Sequence, residues 1–134
     1  MKLFLISIVC STLLMASDGY SVYQKHCSGC HVEMMEKKEV LKKLHTLKAP
    51  PMVEVSNRLR ENIIIADEDE DVKRRVMIAF IKDYIDYPDV QYSMCHPMAI
   101  EKFGIMPSQK GKLSEDEKHS VAEWIVERYK NIKF

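Results

Sequence analysis

No excess of charge of either sign runs through this chain: 20 lysines and arginines stand against 20 aspartates and glutamates. That balance gives no support for nucleic-acid binding, which leaves a basic footprint. No internal repeat and no low-complexity segment is present, so nothing points to a repeat array or a long linker. No stretch carries the alternation of apolar and polar residues that marks a strand. No apolar run is long enough to span a bilayer comfortably; that of Leu3 to Leu14 ends before polar residues begin.

That short run does have a meaning. Lys2 precedes it, and Leu14-Met15-Ala16 follows with a small residue at its end. These are the parts of a cleavable export signal. The lipoprotein alternative would use Cys10, but Ile8 and Val9 before it are bulkier than such a site usually accepts. Residues 1–16 are therefore expected to be a signal peptide and residues 17–134 one domain with one core. After cleavage no stable membrane insertion is expected. Three cysteines survive: Cys27, Cys30 and Cys95.

What the chain does have is Cys27-Ser28-Gly29-Cys30-His31. Two cysteines two residues apart, followed at once by histidine, form the attachment sequence for c-type haem. The two thiols become thioethers on the two vinyl groups, and one helical turn spans the gap between them. The next residue then lies beneath the iron, where a neutral imidazole binds it. A thioredoxin-like pair uses the same cysteine spacing but needs a βαβ setting, and no strand precedes Cys27. A zinc site from Cys27, Cys30, Cys95 and His96 has the right ligand types. Adjacent ligands such as Cys95 and His96 reach one metal only under strain. Tyr92-Ser93-Met94-Cys95-His96 looks like a haem motif without its first cysteine, but a single domain has little room for a second haem.

The rest reads as helices. One is expected from about Asp18 to the haem motif, with Tyr20, Tyr23 and Cys27 at helical spacing. A second spans roughly 32–47, with Val40, Leu41, Leu44 and Leu47 on one side, and Pro50-Pro51 stops it. A third covers 52–65. A fourth runs from about 68 to 87 and buries Val72, Val76, Phe80, Ile81, Tyr84 and Ile85. The run Asp67 to Asp71 reads as its solvated, acidic start. A loop follows, with a short helix at 97–103. The last helix opens on a capping box, Ser114-Glu115-Asp116-Glu117. Lys37, Lys38, Lys42 and Lys43 are either a wet helix face or a basic docking patch.

Haem iron with one protein ligand binds small molecules; with two it is built for electron transfer. Met34 and Met35 are too near His31 to reach the opposite face, Met52 falls on the histidine side, and Met77 lies in an apolar helical stripe. Met94, Met98 and Met106 remain. Met106 sits in Gly104-Ile105-Met106-Pro107, where glycine and proline let a rigid backbone pass close to a cofactor.

With these residues in view, the chain resembles a class I c-type cytochrome of the small bacterial periplasmic monohaem branch. Gly19 and Tyr23 match the glycine and aromatic of that family's first helix, and Val121 and Trp124 its aliphatic-aromatic pair on the last. Met106-Pro107 matches its ligand loop. Ala49-Pro50-Pro51-Met52 is similar to its proline segment, with alanine in place of the usual glycine. The resemblance implies an all-α, cytochrome c-like orthogonal helix bundle wrapped around one covalently bound haem c. It implies Cys27 and Cys30 as thioether anchors, His31 and Met106 as iron ligands, and the Pro50 carbonyl as hydrogen-bond partner of His31. Residues 53–95 match no motif of the family.

The expected function is that of a periplasmic single-electron carrier, not an enzyme, with an oxidase, peroxidase or reductase as partner in a respiratory chain. The alternative is a haem-based gas sensor or peroxidase-type enzyme with an open iron position.

Overall fold

The computed structural model describes residues 18–134; the expected signal peptide lies outside the described residues. Among the described residues there are six α-helices, one 3₁₀ turn and no strand. Helix α1 (Gly19–His26) starts where the Asp18 carboxylate accepts from the amides of Tyr20 and Ser21, and Lys25 and His26 close it at the negative end of its dipole. Helices α2 (Lys37–Lys43), α3 (Met52–Asn62) and α4 (Glu70–Asp86) follow. Asp69 caps α4 by accepting from Asp71 and Val72, so the last three residues of the acidic run start the helix, while Asp67 and Glu68 lie in the 3₁₀ turn Ala66–Glu68 before it. Helix α5 (Pro97–Phe103) has proline in its first turn, and α6 (Glu115–Arg128) carries the complete Ser114–Glu117 capping box.

The last helix is the centre of the packing, since α1, α3 and α4 all lie against it. Val121 and Ala122 on α6 and Met77 on α4 are wholly buried. The Tyr23 ring stacks on Trp124 with centroids 4.7 Å apart, and Tyr20 completes a cluster of three, 5.6 Å from Trp124 and 6.1 Å from Tyr23. Lys118, also on α6, is 7 % exposed and places its ammonium 2.6 Å from Asp86 on α4.

Three expectations need correction. The second helix is half the expected length, because its first residues are used elsewhere. The Val32 carbonyl accepts from Met52 N at 2.8 Å and that of Glu33 from Val53 N at 3.2 Å. The same stretch takes the Tyr23 hydroxyl on the His31 carbonyl (2.7 Å) and the Tyr129 hydroxyl on that of Glu33 (3.1 Å). Of α2 only Val40 is buried, and Leu41 faces solvent. On α4 the buried face is Met77, Ile78, Ile81 and Ile85, with Val76 outside.

Candidate haem site

The haem motif begins as α1 ends. The amides of Cys27 and Ser28 both donate to Tyr23 O, and those of Cys30 and His31 to Cys27 O, so one tight turn carries both thiols and the imidazole. All three side chains line one apolar cavity. Its empty space, about 1330 Å³, includes open solvent at the mouth. Its other walls come from Ala49, Pro50, Met52, Val55 and Leu59, from Phe80, Ile81, Tyr84 and Ile85 of α4, and from the segment between α4 and α6.

Cys27 is half-buried and Cys30 exposed. Burial, and then the neighbouring Cys30, push the Cys27 thiol up to about 11. His31 Nδ1 lies 2.7 Å from the Pro50 carbonyl oxygen. A carbonyl can only accept, so Nδ1 carries the hydrogen and Nε2 keeps the lone pair. Burial moves the imidazole below its ordinary value despite the opposing Pro50 bond, which favours the neutral form. The turn that carries the imidazole is held from behind by the Tyr23 hydroxyl.

The methionines separate by place. Met98 is 64 % exposed and does not line the cavity. Met106 does, from the loop after α5, where Gly104 takes φ 71° and ψ −163°, a conformation reserved for glycine. Met94 lines it too, from the segment that precedes α5 in the chain. Met52 is buried at the wall that carries Pro50. The residues present therefore fit a haem: an apolar slot, two thiols, one neutral imidazole with its second nitrogen engaged, and thioethers from a different segment.

Sequence reasoning missed the part of the wall made by α4 and by Cys95. Only the apolar stripe of α4 hinted at burial, and nothing local says what it faces. Cys95 lines the same cavity as Cys27 and Cys30 and makes no second site. His96 is engaged as the cap of α5, accepting from Met98 N. No group of three or more His, Cys, Asp or Glu among the described residues is placed to hold a metal ion.

A family model described as cytochrome C oxidase, cbb3-type, subunit III matches residues 15–125. The chain belongs to this family. It is thus a class I c-type cytochrome, and the cofactor of the family is covalent haem c. This cytochrome is similar to an uncharacterized protein of Aquifex aeolicus (strain VF5), 38 % identical over 145 residues that cover 97 % of this chain and 90 % of that protein. No solved structure matches it. No helix among its described residues is long and apolar enough to cross a membrane.

Proposed function

We propose that this cytochrome is a periplasmic monohaem carrier of single electrons, with haem held by Cys27 and Cys30 and its iron bound by His31 and Met106. The observation that supports it is one cavity whose walls bring Cys27, Cys30, His31 and Met106 together. When bound, the haem supplies a one-electron ferrous/ferric couple. The protein's own work is to hold and tune it. Pro50 fixes the imidazole in the Nδ1–H tautomer and orients it. The Met106 thioether favours the ferrous state, and the apolar walls disfavour the extra charge of the ferric state, so both raise the potential. With two ligands on the iron and an apolar slot there is no place for a substrate, which favours a carrier over an enzyme.

Met106 is preferred to Met94 because Gly104 and Pro107 bound its loop, and the Ser114 cap anchors the chain shortly after. The test is the near-infrared sulfur-to-iron charge-transfer band of the ferric protein. Met106→Ala should abolish it and admit carbon monoxide to the ferrous iron; Met94→Leu should leave it. The opposite pattern moves the ligand to Met94. Rapid carbon monoxide binding by the wild type would end the carrier reading in favour of a sensor or enzyme. The intact mass of chain exported by a host with haem-attachment machinery reports signal cleavage and covalent haem together.

A further inference from the structure

The end of α4 is capped by the loop that carries Met106. A helix leaves its last carbonyls without partners inside it. The cap residue Tyr87 takes that of Asp83, at 2.9 Å. Those of Ile85 and Asp86 are taken by the two residues that follow Met106-Pro107. Gln109 N donates to Ile85 O at 2.9 Å, and Ser108 Oγ donates to Asp86 O at 2.7 Å. Asp86 is itself fastened to α6, since its carboxylate lies 2.6 Å from the buried Lys118 ammonium. Before Met106, the last backbone anchor is Gly104 N on Ile100 O, at 2.8 Å. Between these anchors the amides of Ile105 and Met106 make no hydrogen bond among the described residues, and Gln109 Nε2 reaches only back to Pro107 O.

We propose that Ser108 is a positioning residue for the second iron ligand: by capping α4 it holds the loop down and keeps the Met106 thioether at the haem slot. The inference rests on the reading of Met106 as that ligand and adds what secures it. Met106 is only partly buried, so packing grips it less than it grips a core methionine such as Met77. Release of the thioether requires residues 105–107 to swing away from the slot. Pro107 is stiff and has no amide hydrogen of its own to bond, so the swing is passed on to Ser108 and pulls its hydroxyl from Asp86 O. Asp86 cannot follow, because Lys118 ties it to the helix at the centre of the packing. A bond made only in the closed loop biases the equilibrium toward that state. This equilibrium is what separates a carrier, whose iron stays closed, from a sensor, whose iron admits small molecules.

The experiment titrates the haem-loaded ferric protein with imidazole and follows the near-infrared sulfur-to-iron band. Imidazole replaces Met106 Sδ: one thioether–iron bond is lost, one nitrogen–iron bond is gained, and no electron moves. Its apparent affinity is its intrinsic affinity scaled by the fraction of open loop. Ser108→Ala removes one hydroxyl from an exposed site and should keep the band without imidazole. It should bind imidazole about fivefold more tightly, the worth of one net hydrogen bond. Ser108→Thr keeps the hydroxyl and should restore the wild-type affinity. Thr46→Ala removes the same kind of bond elsewhere, a hydroxyl on Lys43 O at 2.8 Å past the end of α2, and should leave the affinity unchanged. Loss of the band in Ser108→Ala, recovered in Ser108→Thr, would show the same dependence in stronger form. Equal affinities in wild type and Ser108→Ala, or a shift of the same size in Thr46→Ala, would overturn the positioning role while Met106 stands as ligand. A band that survives Met106→Ala would remove Met106 as ligand, and the role of Ser108 with it.

Discussion

Gly19 and Trp124 touch where α1 meets α6: a β-carbon on Gly19 would stand 2.5 Å from Trp124 Cβ and 2.3 Å from the Ser120 carbonyl oxygen. Backbone meets backbone there, and no side chain can move aside. Gly19→Ala should therefore cost about 3 kcal/mol, although alanine is favoured over glycine by up to about 1 kcal/mol in a helix interior. Urea unfolding of the haem-loaded protein gives the sign directly. A neutral or stabilising result would mean that α1 can shift on α6.

The Tyr23 and Tyr129 hydroxyls both donate to the stretch behind the haem motif, and their loss should differ. The His31 carbonyl has no other partner among the described residues, whereas that of Glu33 also accepts from Val53 N. Tyr23→Phe should cost about 1–3 kcal/mol and Tyr129→Phe about 1 kcal/mol. Denaturation midpoints of the two variants, side by side, check the order.

Alkaline stability should depend on Lys118. Asp86, then Glu115, hold its amine above the ordinary value of 10.5. Below 10.5 the folded and unfolded chains both keep the proton, so this stabilisation is fully present. As pH rises, the unfolded chain loses the proton first, and the contribution disappears through the folded value. Burial raises Tyr129 from 10.0 and acts in the same direction. Denaturation on either side of pH 10.5 should show a steeper fall for the wild type than for Lys118→Met. Equal slopes would remove Lys118 as the cause.

Cys95 should be dispensable for haem attachment. Burial raises its thiol, with Ser93 opposing, so little thiolate is present to react. Cys95→Ala should leave the covalent haem content unchanged and cost little stability. A fall in haem content would give Cys95 a part in attachment.

What was legible in the sequence was local. The Ser114–Glu117 cap is read from four residues because all its partners lie within them. The turn that carries Cys27, Cys30 and His31 closes on its own backbone. The length of α2 was not legible, because the amides that claim the carbonyls of Val32 and Glu33 belong to Met52 and Val53. Nor was the exposure of Leu41 and Val76, since helical spacing defines a stripe without saying which edge of it a neighbour covers.

By itself the sequence determined the all-helical class, the covalent-haem chemistry and the Ser114 cap, because short-range geometry and thiol chemistry act within a few residues. Only the tertiary structure decided which methionines reach the haem slot, and that α4, Cys95 and Lys48 help to wall it. Those relations depend on how α1, α3 and α4 settle on α6, and that packing is set by the shape of side chains far apart in the chain.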